Sequence, residues 1–349
     1  MSSPFDHPWL SGIFGDAEIV AILSAETELN RMLKVEAAWT RALGLIETEV
    51  DTNPIADRIT ALKINPEELQ SGTARDGLPV PQFVDIIKSK LRKTEIAYVH
   101  TGLTSQDVID TALVLALCDV ALVIENRLID LNATFDAMEQ KVEGNVSRAF
   151  TRMQPALPTS SVSIIKTWQR PLQNFQADLK QSVKNLAVIQ YGGPIGTRSH
   201  ALSDKLGAAF AKNLGLRDPG HAWHTDRSIL NDFTALLTRI AGFMGKIGAD
   251  ICQLAALGSD HVSLSAGGTS SSMPHKKNPV EAEVLVALAR YCATQMGGLQ
   301  QSLVHENHRS GQALSLEWLL LPGLLVACGR SVALATNVVN SIETLGCKS

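Results

Sequence analysis

The chain has 349 residues, 45% of them apolar, and 31 basic against 35 acidic side chains give a net charge of −4. That is enough apolar material for a large core. The near-balanced charge marks no nucleic-acid or membrane surface, and neither partner is expected. Aromatics are only 5%, and a composition rich in Ala and Leu favours helices over sheets.

The N-terminus, MSSPFDHPWL, has no basic start and no apolar stretch, so a cytoplasmic protein is expected. A helix is expected from Ala17 to about Ile46, with Ile22, Leu29, Met32, Leu33, Trp39, Leu43 and Ile46 on one stripe. Shorter pieces follow, broken by Pro54, Pro66, Gly72, Gly77, Pro79 and Pro81. Residues 1–100 read as an N-terminal, mostly helical domain and 101–349 as a long-helix bundle domain. No Gly or Pro occurs from Leu103 to Glu143, which predicts one long helix. A second long pattern spans about Ser161 to Gln190, with Pro171 as a kink. A third runs from Asp226 to about His261, a fourth follows Asn278, and a fifth runs from Gln312 towards Ile342 with Pro322 inside it. The longest apolar run, around Trp318–Cys328, is broken by Pro322-Gly323 and is too short for a bilayer, so no membrane partner is expected. Cysteines 118, 252, 292, 328 and 347 follow no disulfide spacing and fit reduced thiols. The third helix is apolar around most of its circumference and needs partners on all sides. A bundle shared between subunits is therefore expected.

Between the third and fourth helices lies Gly268-Thr269-Ser270-Ser271-Ser272-Met273-Pro274-His275-Lys276-Lys277-Asn278-Pro279. Glycines, consecutive hydroxyls and fixed positive charge suit a loop that handles anions. It is no P-loop, because His275 precedes Lys276, and no hydrolase elbow, because no G-x-S-x-G is present. The segment resembles the signature loop of the fumarase/aspartase superfamily, G-S-S-x-M-P-x-K-x-N-P, with Thr269 as one extra residue. Three further stretches carry the resemblance. Tyr98 to Asp107 is similar to the first conserved region, H-x-G-x-T-S-x-D. Thr151 to Pro158 is similar to the second, T-H-x-Q-x-A-x-P, except that Arg152 stands where most lyases have histidine. Gln190 to Thr197 and Trp223 to Arg227 resemble the G-G-x-x-G-T and W-H-T-x-R stretches of the cycloisomerase branch. His305 to Arg309 and Glu317-Trp318 resemble that branch as well.

The resemblance implies an all-α fold, a long-helix bundle shared in a homotetramer, and active sites built from three subunits. It implies a further small C-terminal domain, absent or cut short where this chain stops at Ser349. It implies an enzyme of the cycloisomerase branch that adds a substrate carboxylate across a conjugated double bond, with a small polycarboxylate as substrate and no cofactor or metal. Ser270 is then the proton carrier at carbon. Lys276 and Asn278 support the enediolate, and Glu283, which orients the histidine in other members, would face Arg152. His100 is a further catalytic candidate. Thr104, Ser105, Gln106, Arg152, Gln154, His224, Arg227 and Ser271 would bind substrate. Arginine cannot shuttle a proton near neutral pH, but it can grip a carboxylate. Arg152 thus favours lactone formation over elimination of an amine. His221 with His224, and His305 with His308, have i, i+3 spacing but lack a ready set of further metal ligands. Open alternatives are an adenylosuccinate lyase-like enzyme, a cyclase of sulfonated muconates, and a catalytically silent helical scaffold.

Overall fold

Serine at position 24 decides how the first long apolar pattern folds. The expected single helix over 17–46 is two, α2 (Ala17–Ile22) and α3 (Ala25–Leu43), preceded by the short α1 (Ser11–Phe14). The Ser24 hydroxyl accepts from the Thr27 N–H at 3.3 Å and caps α3. The capping preference of serine wins over continuation of the stripe. This computed structural model describes residues 3–46, 50–198, 202–269, 272–273 and 276–348. Ser270 and Ser271 lie outside the described residues.

Helices α4 (Asn53–Ala61), α5 (Gln70–Asp76) and α6 (Val80–Ser89) complete the N-terminal part. Then comes α7 (Ser105–Lys141), whose 37 residues span about 55 Å at 1.5 Å per residue. A hairpin of β1 (Asn145–Thr151) and β2 (Gln154–Ser160) leads into α8 (Ser161–Leu186), which holds Pro171. The sequence pattern missed this hairpin and also α9 (Ser203–Leu214). The third long helix is α10 (Ser228–Leu257), followed by β3 (Val262–Leu264). The signature segment is flanked by a two-stranded ladder, β4 (Gly268–Thr269) against β5 (Lys277–Asn278). Helices α11 (Val280–Gln301) and α12 (Gly311–Asn340) follow, then β6 (Ile342–Leu345) and β7 (Cys347–Lys348). The architecture is the expected all-α bundle, with short strands at one end.

Two apolar cores form. One gathers α3, α4, α6 and α9 around Trp39, Phe83 and Phe210, and it also takes Val108, Ile109 and Ala112 from the start of α7. The first core therefore reaches well past residue 100. The other is the long bundle of α7, α8, α10, α11 and α12. Helices α7, α10 and α12 all start at one end, where Arg227 bonds both Asp110 and Glu317. At the far end Lys141 Nζ donates to Ile342 O at 2.6 Å and β3 pairs with β6. Helices α10 and α12 have the length and hydropathy of membrane-crossing helices, but both pack into the bundle core. Less than half of the most apolar stretch of α10 is buried within the single chain.

Candidate active site

Thr104 starts α7, with Ser105 as the first helical residue, so the N–H groups and positive pole of a 37-residue helix open here. Asp107 anchors the site. Its Oδ2 accepts from the Thr104 and Gly193 N–H groups, both at 2.9 Å, and its Oδ1 from Gly192 N–H at 3.0 Å and His224 Nε2 at 2.8 Å. This explains the paired glycines. A Cβ on Gly192 would stand 2.6 Å from Ala222 Cβ, and one on Gly193 2.9 Å from the Gly102 carbonyl oxygen. Gly193 also has φ +67°, where a side chain is strained.

Arg227 sits one layer deeper, 1% exposed. Its guanidinium donates to both oxygens of Asp110 (2.8 and 2.9 Å) and of Glu317 (2.8 and 2.6 Å). Burial opposes its charge, yet the carboxylates of Asp110 and Glu317 outweigh burial and raise its affinity for the proton. Burial lifts the Glu317 carboxyl above its usual range, with Arg227 pulling it back. Gln106 and Gln190 complete the network, each giving its amide N–H to Asp110 Oδ2 at 3.1 Å. Gln106 also donates to the His224 carbonyl at 2.9 Å. Gln106, His224 and Arg227, the residues expected at the substrate, thus take part in an internal polar network. Each is buried, with Gln106 Nε2, His224 Nε2 and the Arg227 guanidinium bonded inside the chain.

What stays at least partly exposed at this end is Ser105, His100 and Arg309, whereas Thr104 is buried. His100 is partly exposed and has φ +60°. The Arg309 guanidinium donates to Thr104 Oγ1. His305 is enclosed nearby, and among the described residues neither ring nitrogen has a hydrogen-bond partner. Burial and the Arg227 charge hold its imidazole below the usual range.

The other described residues singled out by sequence, Arg152, Gln154, Lys276, Asn278 and Glu283, lie at the opposite end. Arg152 and Met153 form the two-residue turn of the β1–β2 hairpin, with φ +49° and +64°. Such loops need φ > 0 at both central positions, and the usual Asn-Gly signal is missing. Arg152 and Gln154 are exposed. Lys276 is exposed, and Asn278 sits in β5 opposite Gly268. Glu283 is exposed on the first turn of α11, close enough to Cys252 to help raise its thiol after burial has done so. Among the described residues no ion pair joins Glu283 to Arg152 within the chain. His221 is exposed, and its Nδ1 meets the Pro219 carbonyl at 3.0 Å, so it forms no unit with buried His224. The two clusters are separated by the length of α10, whose 30 residues span about 45 Å.

A family model described as "Lyase" matches residues 17–294. The chain belongs to this family, the fumarase/aspartase lyases. It is 30% identical over 342 residues to the 3-carboxy-cis,cis-muconate cycloisomerase of Pseudomonas aeruginosa, covering 95% of this chain and 74% of that protein. It is 26% identical to the N-acetyl-S-(2-succino)cysteine lyase of Dickeya dadantii over the same shares of the two chains. The crystal structure of the 3-carboxy-cis,cis-muconate lactonizing enzyme from Pseudomonas putida aligns with TM-score 0.89 at 27% identity, covering 96% of this chain and 77% of that one.

Proposed function

We propose that the protein is a 3-carboxy-cis,cis-muconate cycloisomerase of aromatic-compound catabolism. It adds a substrate carboxylate oxygen across a conjugated double bond and yields 4-carboxymuconolactone. The observation that carries this reading is Arg152 on an exposed hairpin tip, in a stretch that otherwise resembles the histidine-bearing region of the lyases. An intramolecular nucleophile leaves no separate group to be protonated, so a fixed guanidinium suffices there. Ser270 exchanges the proton at carbon, and Lys276, Asn278 and loop N–H groups hold the enediolate. Thr104, Ser105 and the N-terminus of α7 receive a carboxylate, with Ser271, Gln154 and Arg152 gripping the rest. The substrate is a small polycarboxylate, the enzyme works in the cytoplasm, and no cofactor is invoked. Loss of the ultraviolet absorbance of 3-carboxymuconate on incubation tests the assignment. No loss with that substrate, and turnover of adenylosuccinate or a succinylated thiol instead, would move the enzyme to the eliminating lyases.

The two half-sites at opposite ends of the bundle call for a second copy of the chain. We propose a homotetramer in which three subunits contribute to each active site. The partly uncovered α10 and the exposed Leu122, Ile129 and Leu319 supply the apolar surface for it. Light scattering at micromolar protein should give four times the chain mass. A folded, active monomer would sink the shared-site picture.

Arg152→His is expected to lower activity on 3-carboxymuconate, because a charge-assisted two-point grip is exchanged for a single nitrogen. Such bonds contribute about 1.5–3 kcal/mol, or roughly 10- to 100-fold in kcat/KM. A histidine variant as fast as wild type would show that Arg152 does not hold the substrate.

A further inference from the structure

We infer that Glu36 is a positioning residue for catalysis, forming with His100 a carboxylate–imidazole pair that fixes the tautomer His100 presents to substrate. Glu36 lies on α3, in the N-terminal core, and is fully buried. A buried carboxylate is costly unless hydrogen-bonded. Among the described residues both of its hydrogen bonds go to one residue: Oε1 meets His100 Nδ1 at 2.6 Å and Oε2 accepts the His100 backbone N–H at 3.0 Å. One turn on, the same face of α3 clasps the neighbouring backbone. Thr40 Oγ1 donates to Tyr98 O at 2.9 Å, and Trp39 Nε1 to Thr101 O at 2.8 Å. The segment 98–101 is thus held on both sides of His100, which explains how a non-glycine residue is kept at φ +60°.

Holding the backbone alone would need no charge, and a glutamine or a hydroxyl could accept one N–H. The bond to the ring is different. An ionised carboxylate only accepts, so the neutral imidazole must carry its proton on Nδ1. Nε2 is then left with a lone pair and, among the described residues, with no partner in the chain. The imidazole is 18% exposed, beside the helix start where Thr104 and Ser105 stand. A base or proton relay is therefore aimed at the half-site from a direction set by Glu36.

The inference rests on the cycloisomerase reading, and its test separates the two. Nitrogen-15 NMR of histidine-labelled protein, with His100 assigned from the His100→Asn spectrum, should show the Nδ1–H form in the wild type. Substrate plays no part in that measurement. Glu36→Gln, which can offer an N–H to the ring, should shift His100 to the Nε2–H form. It should lower kcat on 3-carboxymuconate by about 10²-fold or more while KM moves little. In the His100→Asn background the same change should cost nothing further, because glutamine still accepts the backbone N–H and the catalytic effect runs through the ring. An Nε2–H tautomer in the wild type, or an equal loss in both backgrounds, overturns the role of Glu36. A wild type with the Nδ1–H signature but no turnover overturns the assigned reaction instead.

Discussion

Ser270→Ala is expected to lose turnover of 3-carboxymuconate by about 10²–10⁴-fold, the usual worth of one acid–base group, while substrate binding persists. The proposed job of this hydroxyl exists only as the proton at carbon moves, so the loss belongs in kcat more than in KM. Ser270 stands in sequence between β4 and β5, whose ladder pairs Gly268 with Asn278 and Thr269 with Lys277. Stability is expected to stay within about 0.5 kcal/mol of wild type, since only one small hydroxyl is removed. Serine is a poor base unless its alkoxide is stabilised, and Lys276 is the nearby cation for that task. Ser271→Ala and Ser272→Ala are the neighbouring controls and should do less harm. An inactive Ser271 variant beside an active Ser270 variant would shift the catalytic register by one. Full activity in all three would remove the loop from the chemistry.

The sequence made the long helices readable because each is a stretch of apolar period 3.6 bounded by Gly, Pro or hydroxyl residues. The limits expected for the third, Asp226 to about His261, are within a turn of α10. The break at Leu23-Ser24 was hidden, since the stripe continues across it and only the cap shows the interruption. The β1–β2 hairpin was hidden because its turn is Arg-Met, and because Pro155 and Pro158 argue against a strand. The edge position of β2 in the order β2-β1-β7 tolerates both prolines.

Site residues divided in the same way. Motif spacing singled out His100, Thr104 and Ser105, which the structure gathers at the start of α7, with Thr104 buried and the other two partly exposed. It also singled out Gln106, His224 and Arg227 without revealing that they are buried in one polar network, because a motif gives residue types and not side-chain direction. Asp110 and Glu36 carried no motif, and Glu317 stood in a stretch that resembles the cycloisomerase branch but gave it no role. Their one signal was an acidic side chain on an otherwise apolar helix face, which is as common on a solvated face as in a buried ion network.

Arg227→Ala is expected to destabilise the protein by about 3–5 kcal/mol, because removing one member of a buried ionic cluster strands its partners. Asp110 is fully buried and Glu317 nearly so. With the guanidinium gone, Asp110 would keep the amides of Gln106 and Gln190, and Glu317 would lose its principal partner. Glu317→Gln should cost less, since the amide can still accept from Arg227 and leaves Asp110 paired. Replacing Arg227 and Glu317 together by apolar residues would not restore stability, because buried Asp110 would still have lost the guanidinium that bonds both its oxygens. Chemical denaturation followed by circular dichroism measures this, at one fixed protein concentration because assembly adds to apparent stability. A substrate-contact role for Arg227 predicts the opposite pattern, with KM raised and the unfolding midpoint kept. An Arg227→Ala midpoint within about 1 kcal/mol of wild type would therefore reject the internal network and return Arg227 to the substrate.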